Sequence, residues 1–326
     1  MASSIRIGLI GLGRHGLRYA QHLAANDVPD ASLGAVWTRD AQKRGQLAER
    51  FGVVNAPTLQ ALAQSDVQAV VAAVPAGLHM PVVKACAAAK RPLLLEKPLA
   101  RTADEGAEMC EAMEASGSPF MVAQTLRFDP LVLALADQLP SLGQLTGLSF
   151  EQRLEPRGLA WEDDPELSGG GVLMQTAIHT VDAARFITQA STTELLTATT
   201  GRVHYAHNED LGLLHLRLSG GAHLPQPITA DVRVSKIGGS RHMRFALFGR
   251  EGGLEADFID RTLIHTVGRE RTVQAVPEIP TVPTVTSAFV QSLRRNTPCP
   301  VPARDALRSL QVIAEAYSAA GSAEGA

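Results

Sequence analysis

The sequence predicts an α/β protein in two parts: an N-terminal doubly wound parallel sheet of Rossmann type, then a C-terminal α+β domain with an open, mostly antiparallel sheet. Three observations predict it. Residues 1–123 alternate short unbroken apolar runs with helical segments, the pattern of parallel strands buried on both faces. The first of those runs leads into Gly11-Leu12-Gly13-Arg14-His15-Gly16, a glycine-rich turn that opens a helix. In the second half the apolar period drops to two, the mark of strands with one wet face.

The elements follow in order. Residues 5–10 read as a strand and 14–25 as a helix. A second strand at 33–37 feeds a helix at 41–51, a third at 69–74 feeds a helix at 80–89, and a fourth covers 93–95. Thr102-Ala103-Asp104-Glu105 is a capping-box signature for a helix running toward residue 115, and 120–123 is a fifth strand. Further on, Ile228, Ala230, Val232 and Val234 alternate with Thr229, Asp231, Arg233 and Ser235. Met243, Phe245 and Leu247 alternate with His242, Arg244 and Ala246. Gly220-Gly221 and Gly238-Gly239 punctuate these runs as turns. Strands at 145–153 and 211–218 complete the sheet, and helices are expected at 172–187, 285–294 and 304–319. The boundary falls at 123/124, giving a nucleotide-binding domain over 1–123 and a substrate-binding and oligomerisation domain over 124–326. Residues 321–326 read as a frayed tail.

Length and composition bound the function. A chain of 326 residues holds about two domains and buries enough surface to fold without disulfides or metal staples. Its 30 basic and 33 acidic residues leave a net charge of −3, and 4% of residues are aromatic, so neither phosphate neutralisation nor base stacking is provided for. No nucleic-acid partner is expected. Cys86, Cys110 and Cys299 form no CxxC pair, which suits a reducing compartment. The N-terminus runs into a strand without a signal-peptide core, and no apolar stretch approaches membrane-spanning length. A cytoplasmic protein with no membrane partner is expected. GxSxG, P-loop and HExxH motifs are all missing from the sequence. His204, His207, Glu209 and Asp210 match no zinc spacing, so no metal is expected.

The turn of Gly11, Gly13, Arg14, His15 and Gly16 has the chemistry of a dinucleotide site. The first glycine permits a tight turn, the second lets a pyrophosphate approach the backbone, and the third lets helix and strand pack closely. The helix N-terminus adds free N–H groups and the positive end of a dipole. Cofactor choice is set at the end of the second strand. An NAD site usually has a carboxylate there, whereas this chain has Trp37-Thr38-Arg39, with Lys43 one helical turn on. A hydroxyl followed by cations binds a 2′-phosphate, so NADP is expected in preference to NAD.

Further motifs carry a resemblance. Glu96-Lys97-Pro98 follows the fourth strand. The third ends in Val74-Pro75 with His79 four residues later, and the fifth is followed by Gln124-Thr125-Leu126-Arg127. Gly169-Gly170-Gly171 precedes Ile178-His179-Thr180-Val181-Asp182. This set resembles the glucose–fructose oxidoreductase / inositol dehydrogenase (Gfo/Idh/MocA) family over nearly the whole chain. The resemblance implies a nicotinamide-dependent oxidoreductase acting on sugars, polyols and related carbonyls. Lys97 would be its catalytic lysine, and Glu96-Lys97-Pro98 would lie beside the nicotinamide with a Lys-Pro peptide that is cis in many members. His179 would be the catalytic or substrate-binding histidine. Val74, Pro75, His79, Glu96, Lys97 and Gln124 would line the cofactor.

The residues read alone agree for Lys97. It follows an apolar strand at the carboxyl edge of a parallel sheet, where open α/β folds bind ligands. A partly desolvated lysine exchanges a proton with an alcohol near neutral pH. The chain departs from the family at Gln175, where many sugar and polyol members carry Asp four residues before the histidine. Glutamine hydrogen-bonds a hydroxyl, or holds Lys97 or His179, but carries no proton. Arg127 either binds an anionic group or forms a salt bridge. Residues 154–167, with Arg157, Trp161, Glu162, Asp163 and Asp164, form either a sugar lid or a solvated loop. Asp182 either orients His179 or pairs on its helix. Two other functions share this framework: a redox-neutral member that eliminates a glycosidic bond by transient oxidation, and a non-catalytic NADP-binding regulator. A sheet face without helices implies a homodimer or homotetramer.

Overall fold

The computed structural model describes residues 4–323. Residues 1–3, and residues 324–326 of the expected frayed tail, lie outside the described residues.

The N-terminal elements are β1 (Ile5–Ile10), α1 (Arg14–Ala24), β2 (Ala31–Trp37), α2 (Ala41–Phe51), β3 (Val54–Asn55), α3 (Leu59–Gln64), β4 (Ala69–Ala72), α4 (His79–Ala88), β5 (Leu93–Glu96), α5 (Ala103–Ser116) and β6 (Phe120–Ala123). The six strands are parallel in the order β3-β2-β1-β4-β5-β6, the doubly wound Rossmann order. Every residue of β4, β5 and β6 is buried, which is why those segments read as unbroken apolar runs. Thr102 caps α5 by accepting from the Glu105 N–H at 3.1 Å. Glu105 reaches back one residue further than a capping box requires, to the Arg101 N–H. The exposed two-residue β3 and six-residue α3 carry too little periodicity to be read from sequence.

The chain continues through α6 (Pro130–Gln138), β7 (Leu145–Arg153), α7 (Pro165–Ser168), a π-helical turn Leu173–Ala177 running into α8 (Ile178–Thr188), and β8 (Thr192–Gly201). Six more strands follow: β9 (Leu211–Ser219), β10 (Ile228–Ser235), β11 (His242–Gly249), β12 (Gly253–Asp257), β13 (Thr262–Val267) and β14 (Glu270–Ala275). The last helices are α9 (Thr281–Arg295) and α10 (Ala303–Ala323). Their sheet has the order β14-β13-β12-β11-β7-β10-β9-β8, with β7 and β10 parallel and the other neighbours antiparallel. Val232 stands opposite both Leu214 and Phe150, and Phe150 stacks on Phe245 at 4.5 Å between ring centroids. Leu214, Leu216, Val232, Phe245 and Leu247 are buried on one face; Leu213, Arg217, Arg233 and Phe248 are exposed on the other. The expected period of two is present. The threonine-rich β8 and the fully exposed β14 lack an apolar stripe, which hid them in the sequence.

Contacts divide the chain into two compact units, residues 1–125 with 280–307 and residues 126–279 with 308–326. The sequence reading ran the second domain unbroken from 124. The contacts instead return 280–307 to the first unit: α9 packs on α1, Asp30 accepts from Gln291 at 3.1 Å and pairs with Arg294 at 3.4 Å, and the Val122 N–H donates to Val301. Residues 321–323, expected to fray, extend α10. Among the described residues no helix is long and apolar enough to cross a membrane.

Candidate functional site

The glycine turn meets the steric demands set by a dinucleotide. Gly11 has φ +90°, and a Cβ there would lie 2.3 Å from the Ala73 carbonyl oxygen. A Cβ on Gly16 would lie 1.9 Å from the Gly11 carbonyl oxygen, so α1 seats against the turn only with glycine there. A Cβ on Gly13 would meet nothing within 4 Å among the described residues. The backbone there is open to approach. Gly13 is also the N-cap of α1, where no described side chain takes up the first-turn N–H groups. Arg14 and His15 are exposed on that first turn. The residues present fit a bound dinucleotide.

At the end of β2, Thr38 is half-buried and Arg39 exposed. Asp40 turns its carboxylate to α2, accepting from the Lys43 N–H at 2.9 Å. Arg44 donates to the Thr38 carbonyl at 2.8 Å and to Asn55 Oδ1 at 2.8 Å, pinning the segment. The sequence reading passed over Arg44, which looks like any surface arginine until Asn55 is folded beside it.

Glu96 ends β5 and is buried. Its Oε1 accepts from the Tyr19 hydroxyl at 2.6 Å and lies 2.6 Å from His15 Nε2, while Oε2 accepts from the Lys97 N–H at 3.2 Å. Burial alone would raise this carboxyl. The hydrogen bonds from His15 and Tyr19 and the charges of His15 and Lys97 outweigh it, and the pKa is held down to about 2. Burial and the adjacent carboxylate push the Tyr19 phenol well up, so it stays a donor. Glu96 was expected on the cofactor; its bonds tie the helix of the glycine turn to the peptide bearing Lys97. Lys97 itself is half-buried, and its peptide bond to Pro98 is cis, as the resemblance implied.

His79, also expected on the cofactor, is 0% exposed. Its ring nitrogens lie 2.9 Å from the Val74 carbonyl oxygen and 3.1 Å from that of Leu99. Burial pushes its pKa down against the pull of the two carbonyls. It braces the end of the Val74-Pro75 segment against the chain that leaves Pro98. Val74 and Pro75 are half-buried, and Gln124 is buried at the end of β6.

In the second unit, Gln175 lies on the π-helical turn and His179 follows on the first turn of α8, half-buried. The Gln175 amide donates to the carbonyls of Glu162 at 2.8 Å and Gly170 at 3.1 Å, and its Oε1 accepts from Lys236. These bonds commit it to the protein framework, where a substrate-binding group was expected. Lys236 also donates to Glu162 Oε1 at 3.1 Å, and Tyr205 donates to Glu162 Oε2 at 3.0 Å. Asp163 accepts from the N–H groups of Ala206, His207 and Asn208. The segment expected as a lid or loop is therefore anchored at its centre. Glu209 holds the glycine run, accepting from the Gly171 N–H at 3.0 Å, the Leu173 N–H at 2.9 Å and the Tyr317 hydroxyl at 2.8 Å. Asp210 accepts from the N–H groups of Val203, His204 and Tyr205. Among the described residues no group of three His, Cys, Asp or Glu could hold a metal ion.

Arg127 resolves toward the salt-bridge alternative. Its Nε and Nη2 each donate to Asp182 at 2.7 Å in a buried bidentate pair, and its guanidinium lies 5.5 Å from the Phe186 ring centroid. Asp182 also accepts from Ser309 at 3.1 Å. Asp182 thus anchors α8, the helix that carries His179. The sequence reading missed Tyr19, Arg44 and Lys236 and weighed Glu209 only as a metal ligand; the partners of Tyr19, Glu209 and Lys236 are distant in the chain.

The parallel sheet and its glycine turn define a dinucleotide-binding Rossmann protein. Residues 5–124 match the family model described as "Oxidoreductase family, NAD-binding Rossmann fold", and residues 142–255 match the GFO/IDH/MocA C-terminal domain. Two inositol 2-dehydrogenases are similar in sequence. That of Rubrobacter xylanophilus is 31% identical over 223 residues, covering 67% of this chain and 62% of the relative. That of Acidothermus cellulolyticus is 31% identical over 257 residues, covering 76% of this chain and 72% of the relative. The aldose-aldose oxidoreductase of Caulobacter crescentus shares the fold, with a TM-score of 0.87 at 20% identity over 98% of both chains. The chain belongs to the Gfo/Idh/MocA oxidoreductase family.

Proposed function

We propose that this protein is a cytoplasmic, NADP-preferring dehydrogenase or reductase that moves a hydride between nicotinamide and a hydroxyl or carbonyl carbon of a sugar or polyol. One observation carries the reading: the residue before Lys97 is a buried, ionised carboxylate fixed by the helix of the glycine turn. That bond couples the dinucleotide turn to the amine that the chemistry needs. Family membership and the inositol dehydrogenase relatives support the substrate class.

When bound, the nicotinamide supplies the hydride acceptor or donor. Lys97 as a neutral amine takes the hydroxyl proton in the oxidising direction and returns it in the reducing direction. His179 donates a hydrogen bond to the reacting oxygen and holds it in place. Gln175 supports the surrounding wall. Thr38, Arg39 and Lys43 hold the 2′-phosphate of NADP, and Gly11, Gly13, Arg14, His15 and Gly16 hold the pyrophosphate. A second copy of the chain covers the sheet face bearing Leu213 and Phe248, giving a homodimer or homotetramer.

The test is Lys97→Met assayed with NADP and a panel of sugars and inositols. Turnover should fall by at least about a thousandfold while NADPH binding, read by fluorescence, stays within about twofold. Normal turnover in that variant removes the mechanism.

A further inference from the structure

Lys236 directly follows β10, whose inward positions Ile228, Ala230, Val232 and Val234 are apolar. The lysine is 3% exposed, yet it ends among polar groups. Its ammonium donates to Glu162 Oε1 and to Gln175 Oε1, and Glu162 is 1% exposed. Burial pulls the lysine pKa down, and the carboxylate of Glu162 opposes the pull. A buried ion pair of this kind adds little net stability compared with apolar side chains of the same volume. Its contribution is to orientation.

That orientation can be read from the glutamine. A carboxamide has nearly the same shape when turned by about 180°. In the observed sense, the Gln175 NH2 faces the carbonyl oxygens of Glu162 and Gly170, and Oε1 faces the Lys236 ammonium. Turned over, it would set an NH2 against an ammonium and an oxygen against two oxygens. Lys236 therefore fixes the amide in one sense. Through it, three segments are held together: the centre of the 154–167 segment at Glu162, the glycine run at Gly170 and the end of β10. This junction lies four residues from His179, about one helical turn. The charges of Glu162 and Lys236 offset each other in a buried pair.

We propose that Lys236 is a positioning residue for substrate: acting through Gln175, it sets the shape of the wall beside His179 and thereby the affinity for a neutral polyhydroxy compound. It takes no part in proton transfer. The inference rests on the dehydrogenase reading above.

The test uses the full chain, NADP and the sugar and inositol panel, with myo-inositol as the first probe. In Lys236→Met the KM for whichever compound turns over should rise by about tenfold or more, with kcat within about threefold of wild type. The Kd for NADPH should stay within about twofold. Gln175→Leu should give the same split, and the double variant should be no worse than either single one, because both break the same link. A damaged fold would instead lower the active fraction, and so kcat, at unchanged KM. If Lys236→Met does not fold, Lys236→Gln carries the test, since it keeps an N–H donor for Gln175 without the charge and should hold KM within about threefold. An unshifted KM in folded Lys236→Met, a larger KM shift in Lys236→Gln, or singles whose effects multiply, overturns this proposal alone. Wild-type protein that turns over no panel member overturns the dehydrogenase reading and this inference with it.

Discussion

His15 and Glu96 are joined at 2.6 Å, so the first turn of the glycine-loop helix is tied to the residue that precedes Lys97. The Glu96 pKa of about 2 in the folded protein lies below that of an unfolded glutamate. A depressed carboxylate contributes stability that is complete above the unfolded value and lost as pH falls through the folded one. The stabilising contribution should therefore disappear between about pH 4.5 and pH 2. In Glu96→Gln, urea denaturation at pH 7 should show a loss on the order of 1–3 kcal/mol. The difference from wild type should shrink as the pH is lowered through that window. Parallel acid limbs for the two proteins would show that Glu96 does not titrate as described.

Arg127 and Asp182 form a buried bidentate pair, and removing one partner strands the other. Asp182→Ala should cost about 3–5 kcal/mol in chemical denaturation because the guanidinium is left buried without its counter-ion. The double change Arg127→Met with Asp182→Leu should recover part of that loss, since it removes the stranded Arg127 charge but leaves buried Arg185, 3.8 Å from Asp182, without that carboxylate. A double variant as unstable as Asp182→Ala would show that the lost stability is not that of a stranded charge.

How much of this was legible in the sequence depended on range. The Rossmann half could be read because β4 and β5 are buried throughout and because Gly16 answers a contact within one strand–turn–helix unit, the Gly11 carbonyl, although Gly11 answers the Ala73 carbonyl beyond β4. Lys97 and His179 were singled out by the family resemblance that Glu96-Lys97-Pro98 and the Gly169-Gly170-Gly171 run with His179 carry. Tyr19 was not, because it meets Glu96 across 77 residues, and Lys236 meets Gln175 across 61. No local period encodes such a pairing. The same gap hid the partners of His79 and Gln175, whose side chains bond carbonyls that only the fold brings near.

The proposed preference for NADP rests on Thr38, Arg39 and Lys43. With no carboxylate at position 38, wild-type protein should show a KM for NADP about tenfold or more below that for NAD. Thr38→Asp with Arg39→Ala should reverse the order, since the introduced carboxylate repels a 2′-phosphate and accepts from a free ribose hydroxyl. Arg44→Met should weaken both cofactors alike, because it loosens the Thr38 carbonyl without touching the charge that discriminates them. A wild-type enzyme that already prefers NAD ends this reading of the β2 terminus.

Gln175→Glu asks whether position 175 is a vacant seat for a proton-relaying acid. The isosteric carboxylate would still face the Lys236 ammonium, but its second oxygen would meet the carbonyls of Glu162 and Gly170, which now receive two N–H bonds. Two acceptors left facing an anion cost about 1–3 kcal/mol each. Any gain from pairing with Lys236 is limited, because Glu162 already neutralises that charge. The variant should therefore melt several degrees lower and show no higher kcat/KM on any sugar or inositol. Should turnover instead rise by about tenfold or more, the wild-type glutamine would be a disabled relay, and the chain a cofactor-binding regulator that a single acid restores to catalysis.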